Sequence, residues 1–544
     1  VEITGLLIDT VSIQKYIFSS NRLKENIGGS YLVEQVFERY LKQALQEIFP
    51  QLDIALVEEW KKTPDTISII SNPECMVEPA YIGGGNALIL FREKSKAKEF
   101  VKVWSRILLQ VAPGLNSAVA IDNFDPDPDR NRKGFPNIID RIFQKLHWNK
   151  NRFFPITETP KFGVTKDCPF SNLSAEICYP DSDSQTIWIS SSSYARMRTA
   201  DEAESALNRE WLQHKEGSRW RFTNEIDQLG QKENQTDEEA SGYIAVVHID
   251  GNNMGQQFAK CPTIPKYREL SRFISERTRH TFWKMTESLE SISLKDFEEE
   301  QIFVTKKKDH TIFPMRPIVI GGDDITFICH AKLAFFLTKT FLDRWANGDS
   351  EQNLSACAGI AIVKTKYPFY QAYQFAEDLC SEAKTCSRKV EGSSWISFYI
   401  HQSGITGNLA TMRSLHTPFG KESATYFGPY LYHSHEKQHS LKDQNLTILE
   451  EGIQKFTLWP RTKLMGLRSA LIQGKFAFQD FVEREKIHKN LIPDYCYTTT
   501  GYKQDGWCQR EALSGEGTEN ATPYLDMIDL MDVYRCFHHG GDQE

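Results

Sequence analysis

Ile318-Val-Ile-Gly-Gly-Asp-Asp-Ile-Thr-Phe-Ile-Cys329 decides how the chain is read. Two β-branched runs flank two glycines and two aspartates, the pattern of a β-hairpin with carboxylates at its tip. The glycines supply the positive φ values of a tight reversal and leave room for a ligand close to the backbone. Adjacent carboxylates on a rigid turn repel each other unless cations gather there. Gly321-Gly322-Asp323-Asp324 is therefore a candidate two-metal site, of the kind that aligns a hydroxyl with a phosphate. A solvated hairpin is the plainer alternative.

Outward from the hairpin the pattern grows more specific. Upstream lies Ile244-Ala-Val-Val-His-Ile-Asp-Gly-Asn-Asn-Met-Gly255, an apolar strand ending on Asp250 and opening into glycine-rich turn chemistry. A helical pattern follows at about 266–290, then the hairpin, a helix at 331–346, a strand at Ala356–Val363, a helix at Pro368–Arg388 and a strand at Trp395–Ile400. The order β-α-β-β-α-β with additions is a ferredoxin-like unit. Its first strand runs antiparallel to its third, which sets Asp250 beside Asp323 and Asp324.

The N-terminal quarter repeats this order. Ile3–Val11 is a strand carrying Asp9, Ile13–Phe18 begins a helical turn, and Gly28-Gly29-Ser30 precedes a periodic helix reaching about Phe49. Ala80-Tyr-Ile-Gly-Gly-Gly-Asn-Ala-Leu-Ile-Leu-Phe91 is a second strand–glycine–strand hairpin, followed by a helix at 95–111 and the strand Ser117–Ile121. Asp9 to Asp250, Gly83 to Gly321 and Val119 to Gly359 are 241, 238 and 240 positions apart. Landmarks at nearly one offset indicate an internal duplication. The first copy has Gly85 and Asn86 where the second has Asp323 and Asp324, so its neutral tip suits a catalytically silent copy.

Composition bounds the rest. In 544 residues, 25 % are charged and 40 % hydrophobic, which describes a multi-domain globular chain. The net charge of −8 argues against wrapping long duplex DNA by bulk electrostatics. No apolar run reaches membrane-spanning length, and Glu2 and Asp9 do not fit a signal peptide. Eleven cysteines, without any Cys-x-x-Cys, suggest core thiols in a reducing cytoplasm.

Ile13-Gln-x-x-Ile-Phe with Gly29-Ser30, the Gly-Gly-Gly-Asn hairpin, Asp250-Gly-Asn-Asn-Met-Gly and Gly321-Gly-Asp-Asp together resemble the large subunit of type III CRISPR–Cas effector complexes. The tract from Ala358-Gly-Ile-Ala-Ile-Val through Pro368 to Ala383-Lys384 is similar to it as well, and the GGDEF diguanylate cyclases are more distantly similar. The resemblance covers roughly residues 1–402. It implies two palm domains, the second making nucleotide second messengers, typically cyclic oligoadenylates, from ATP with Mg²⁺ or Mn²⁺ after target RNA is sensed. Asp250, Asp323 and Asp324 match the metal ligands and catalytic residues. Gly321 and Gly322 match the close-approach glycines, and Lys384 a triphosphate contact whose plainer alternative is a solvated helix-end lysine. Gly251 and Asn252, with Gly84 and Gly85 of the first hairpin, complete the expected nucleotide-binding set. Implied partners are ATP, guide or target RNA and other effector subunits; no membrane is involved, and homo-oligomerisation stays open.

The departures are specific. Many relatives begin with an HD nuclease domain, whereas this chain starts at the first palm and no His is followed by Asp. Only Cys168 and Cys178 lie between the palms, too few for a zinc knuckle. They leave open whether the chain joins an RNA-guided complex or acts alone. The expected division is a degenerate palm at 1–125, an inter-palm helical linker at 126–241, a catalytic palm at 242–402 and a mainly helical C-terminal domain at 403–544. In the linker, Pro136–Lys150 reads as a helix with an aromatic core face, and Lys145, Lys150 and Arg152 among Trp148, Phe153 and Phe154 as a less favoured nucleic-acid contact. Residues 403–445 read as an irregular connection, and Cys496, Cys508, Cys536, His538 and His539 fit no compact zinc knuckle. Two rival functions remain: a non-catalytic scaffold or nucleotide sensor, and a GGDEF-like cyclic dinucleotide synthase.

Overall fold

The computed structural model describes residues 3–52, 68–124, 134–152, 157–180, 186–231, 242–347, 354–402, 407–414, 423–424, 426–434, 444–487, 507–511 and 518–537. In the first unit, strand β1 (Ile3–Val11) leads through the short helix α1 (Ile13–Phe18) to α2 (Leu23–Gln35), which runs on through a π-helical turn at Val36–Tyr40 to Leu41–Ile48. The hairpin β2 (Val77–Gly83) and β3 (Asn86–Phe91), helix α3 (Lys94–Val111) and strand β4 (Asn116–Phe124) complete it. The sheet order β2-β3-β1-β4, antiparallel throughout, is ferredoxin-like.

Alternation along β1 explains why both faces are covered. Leu6 and Ile8 join Phe100 and Trp104 of α3, whereas Ile3 and Leu7 pack with Ile139, Ile142 and Leu146 of a further helix, α4 (Gly134–Arg152). This corrects the reading of 126–241 as linker from its first residues. Helix α4 is the second helical layer of the first palm; its core face is mainly aliphatic, with Phe143 partly buried against it and Trp148 67 % exposed. Of the stretches 122–134 and 227–241, which read as loops from sequence, residues 125–133 and 232–241 lie outside the described residues, as do Phe153 and Phe154, whereas Asp122–Phe124 belong to β4 and Gly134 opens α4.

Gly28 and Gly29 also require correction. They lie inside α2, not ahead of a helix. Helix α5 (Ser191–His214) crosses there so closely that a Cβ on Gly28 would come 1.8 Å from the Arg196 carbonyl oxygen. Their use is backbone approach between helices. Arg196 itself is buried, paired to Glu25 at 3.1 Å and donating to the Tyr16 carbonyl.

The second unit repeats the first on a larger scale. Its elements are β5 (Tyr243–Gly251), α6 (Met254–Ala259), α7 (Ile264–Glu290), the hairpin β6 (Met315–Gly321) and β7 (Asp324–His330), α8 (Ala334–Ala346), β8 (Ala356–Lys364), α9 (Phe369–Ser387) and β9 (Ser393–Ile400). A further strand, β10 (Tyr430–Ser434), gives the sheet order β6-β7-β5-β8-β9-β10. The segment read as an irregular connection therefore contributes a sheet strand. Ala245, Val247 and Ile249 face α7 and α8; Ile244 and Val246 face α9 together with Ile17, Phe18, Leu23 and Ile27 of the first unit. Phe18 stacks on Tyr373 at 3.6 Å between ring centroids, so the two palms share a core.

The duplication is visible in backbone detail. Asp9 pairs with Asn86 and Ala118, as Asp250 pairs with Asp324 and Cys357. The edge strands are bulged at Pro79/Tyr81 and at Pro317/Val319. Ser12 and Asn253, each preceding the short helix after the first strand, are both left-handed, with φ of 56° and 59°. Non-glycine residues adopt that region rarely, so its recurrence at matched positions is specific.

Beyond the sheet lie α10 (Leu446–Thr457), α11 (Arg461–Gln473), α12 (Lys475–Arg484) and α13 (Pro523–Leu530), whose apolar faces continue the second palm's core. The fold is thus α+β, two palms with a mainly helical C-terminal region. Cys496, His538 and His539 lie outside the described residues, and Cys536 is exposed. Among the described residues no helix is long and apolar enough to cross a membrane.

Asp526 of α13 ties this region to the sheet. It is buried and accepts from the Phe427 and Gly428 amides, at 3.0 and 3.3 Å, and from the Tyr430 hydroxyl. Removing an acceptor from buried donors costs about 1–3 kcal/mol, so Asp526→Ala should lower the urea midpoint accordingly. Burial pushes the Asp526 carboxyl up from 3.8 to about 7 despite these donors. Its contribution is then fully present below pH 3.8 and lost as pH rises through about 7. Urea midpoints from pH 5 to 8 should fall more steeply for the wild type than for Asp526→Asn.

Candidate active site

The hairpin β6–β7 turns at Gly322, with φ of 53°, and Gly321 pairs with Asp324. Strand β5 lies beside β7 in the register that sets Asp250 opposite Asp324. The Gly251 amide donates to the Asp323 carbonyl at 3.0 Å, and a Cβ on Gly251 would come 3.0 Å from Asp323 Cβ. Glycine at 251 is what lets the tip close down on the strand end. From α7, the buried Thr278 hydroxyl donates to the Gly322 carbonyl at 2.6 Å and fixes the turn from behind.

The three aspartates expected to meet are therefore together at one strand end, all half-buried. Lys384 joins them from α9. Its ammonium contacts the Asp250 carboxylate and donates to the Gly251 carbonyl at 3.0 Å. Partial burial works against the Lys384 charge, but the Asp250 carboxylate outweighs it and the net shift is upward. Burial, and then repulsion from Asp250 and Asp323, push Asp324 up to about 8; burial and Asp250 push Asp323 up as well. Asn252 is buried in the wall, its amide nitrogen shared among Ser355 Oγ, Ser387 Oγ and the Ser393 carbonyl, each at 3.0 Å.

The first palm presents its own tip to the same space. Gly84 and Gly85 have φ of 58° and 76°, and Thr10 ties the turn by donating to the Gly85 carbonyl through its amide and its hydroxyl, at 2.9 and 2.6 Å. Asp9 contacts the ammonium of Lys150. Because α4 follows β4 as α9 follows β8, Lys150 is the counterpart of Lys384. From sequence, Lys150 reads as a linker residue and a less favoured nucleic-acid contact. One tip therefore carries one carboxylate against one ammonium, and the other carries three carboxylates against one.

Both tips line one cleft of about 1320 Å³, walled by α2 and α5 and bordered by Lys384 and Arg388. A pocket for one drug-sized ligand is typically about 300–1,000 Å³, so this cleft exceeds the needs of one small molecule. Among the described residues, no group of three or more His, Cys, Asp or Glu side chains forms a ready-made metal cage. At the second tip Lys384 holds the Asp250 oxygen instead. The donor set nevertheless fits a hard divalent cation: carboxylate oxygens only, two of them with protonation favoured by burial and mutual repulsion.

Residues 243–391 match the family model described as Cas10/Cmr2, second palm domain. The likeness to type III large subunits read from the motifs is borne out over that segment. No curated protein matches the chain. Among solved structures, the chain is similar to one in the apo Csm1-Csm4 cassette, at 14 % identity over 85 % of this chain and 62 % of that one, with a TM-score of 0.40. For the cassette with one ATP the values are 13 %, 98 %, 70 % and 0.47, and for the cassette with cA4 they are 12 %, 98 %, 70 % and 0.41. This chain thus spans 62 % to 70 % of the length of these three.

The resident ammonium gives a test that needs no activity. Lys384→Met leaves Asp250, Asp323 and Asp324 without their internal cation, so at pH 8 the variant should melt below the wild type. Magnesium should then raise its midpoint by more than it raises that of the wild type, since Lys384 no longer competes for Asp250. Thermal melts with and without MgCl₂ check both effects.

Proposed function

We propose that the chain is a palm-type nucleotidyltransferase that joins ATP into oligoadenylates, cyclic ones among them, with Mg²⁺ or Mn²⁺ as cofactor. The observation that carries the proposal is the register of Asp250 against Asp324, with Asp323 at the same tip, facing a second palm tip across one cleft. Asp250, Asp323 and Asp324 would hold the cation, which when bound supplies the Lewis acidity that activates a ribose hydroxyl and stabilises leaving pyrophosphate.

The chain's own residues supply position. Gly321 and Gly322 carry no side chain, so a triphosphate can approach the turn backbone. Lys384 is within reach of the same strand end and can pass from Asp250 to the phosphates, keeping its positive charge near the developing negative charge of the leaving group. At the first tip, the Asp9–Lys150 pair cancels charge, so a second nucleotide can lie against Gly84 without gathering metal of its own. The new bond forms between a ribose oxygen and the α-phosphorus of the other nucleotide; the bond to pyrophosphate breaks. Work within an RNA-guided assembly with further subunits is part of the proposal, and it rests on the family of the second palm.

Labelled ATP with Mg²⁺, followed by mass spectrometry of products and assay of pyrophosphate, tests the reading. Asp323→Ala with Asp324→Ala should remove product while leaving the fold intact, because it relieves repulsion at a solvent-reached tip. Asp250→Ala should cost at least about a hundredfold in turnover, whereas Asp9→Ala should leave the chemical step near wild type. Equal loss in a folded Asp9→Ala protein would make both palms catalytic. Product formation by the double variant would remove the metal-site assignment.

The first tip has a separate signature. A Cβ on Gly85 would strike Ile13 Cδ1 at 2.2 Å, whereas one on Gly84 meets nothing nearer than 3.9 Å and carries only the strain of its left-handed φ of 58°. Gly84→Ser should raise the apparent KM for ATP more than it lowers the turnover of bound substrate. An effect confined to kcat would place the second nucleotide elsewhere.

A further inference from the structure

Three arginine side chains are almost fully buried, and two of them are saturated. Arg196 has Glu25 and the Tyr16 carbonyl; Arg268 has Glu78 at 3.0 Å and the carbonyls of Ala80 and Pro79, each at 2.6 Å. Arg316 is different. It stands on β6, is 2 % exposed, and lines the cleft. Its Nε and Nη1 meet no acceptor among the described residues. Burial draws its pKa down to about 10, with Glu204 of α5 the one opposing charge, and a guanidinium with that value still carries its proton at neutral pH.

A buried cation with unused donors is costly to a fold unless an anion completes it. On α5 the cleft-lining residues on either side of Glu204 are apolar, Ala203, Ala206 and Leu207, and Glu204 acts on Arg316 through its charge without accepting from Nε or Nη1. Arg279, the neighbouring cleft arginine, is already paired with Glu34 at 3.2 Å and with Glu210. Arg316 precedes Gly321 by five strand residues, roughly 16 Å of backbone. An anion there is therefore separate from one held at the aspartate tip.

We propose that Arg316 is a phosphate subsite of the cleft, taking a phosphoryl group other than the one that reacts at Asp250 and Asp324. The inference rests on the nucleotide reading of the cleft. The group belongs either to a second nucleotide or to an oligonucleotide lying along β6. In both cases two charge-assisted hydrogen bonds from the unused donors complete the guanidinium.

The test is equilibrium binding of ATP and of 5′-triphosphorylated diadenylate to the full chain in EDTA, where no metal-dependent turnover competes. Arg316→Met keeps the length of the side chain without its charge, and Arg316→Lys keeps the charge. The Met variant should lose about tenfold in affinity for at least one probe, and the Lys variant should retain most of it. Loss confined to the dinucleotide assigns the subsite to a product chain; loss for ATP as well assigns it to a nucleotide. Without ligand the Met variant should melt no lower than the wild type, since it relieves an uncompensated charge. Unchanged affinity for both probes overturns the proposal, and so does a ligand-free Met variant that melts lower, which would make Arg316 structural. Because binding is read without turnover, failure of nucleotidyl transfer leaves the subsite standing, and an active enzyme indifferent to Arg316→Met removes the subsite alone.

Discussion

One antiparallel register, Asp250 opposite Asp324, is the constraint on which the rest of the molecule depends. Slipping it by one residue would turn one carboxylate to the other face of the sheet. Both faces of β5 are buried, by Val247 and Ile249 on one side and by Ile244 and Val246 on the other. Slippage would therefore cost the whole core. Two large hydrophobic clusters hold a pair of mutually repelling acids in place; burial first, and then repulsion from Asp250 and Asp323, push Asp324 up to about 8. Lys384 offsets part of this charge at Asp250, while the Gly251 amide, donating to the Asp323 carbonyl, fixes the backbone of the tip.

Much of this was legible in the sequence because it is local. The strand–glycine–strand patterns, the position of Asp250 at a strand end and the near-constant offset between the copies all follow from periodicity and turn chemistry. What escaped was set by distant partners. Helix α4 reads as linker from sequence because the offset changes between copies: Lys150 and Lys384 are 234 positions apart, not about 240. The connection between β8 and α9 is shorter than that between β4 and α4, so a test at constant offset ends one element early. Gly28 looked like a helix start, but its reason is the Arg196 carbonyl on a helix far along the chain. Strand β10 is five residues in a stretch rich in His, Ser and Gly, with no period long enough to detect. Arg316 gives no sequence signal, since a charged residue on an edge strand is ordinarily solvated.

The buried Arg–Glu pairs matter here for geometry more than for stability. A buried ion pair returns little net free energy, because desolvation offsets most of the attraction. Arg268, however, reaches from the second palm's α7 into the bulged edge of the first palm, where apolar contact alone would allow sliding. Its three acceptors define a single position. Ten residues further along the same helix, about 15 Å on, Thr278 holds the Gly322 carbonyl. Helix α7 therefore gauges the distance from the first palm's edge to the second palm's aspartate tip. Arg196 does the equivalent for α5 against α1 and α2, which carry Ile17, Phe18, Leu23 and Ile27 onto the second sheet.

A duplicated fold with two identical tips would place like charges against each other across the cleft. The chain avoids this by an asymmetry confined to two positions. Asn86 stands where Asp324 stands in the other copy, and Gly85 where Asp323 does, while each first strand keeps its aspartate and each following helix keeps its lysine. The first tip is left formally neutral and the second doubly negative. On the function proposed above, that difference in charge would draw divalent cations to the second tip and leave the first tip to a nucleotide without metal of its own. The same fold thus gives two surfaces, and the difference between them lies in charge, not in backbone.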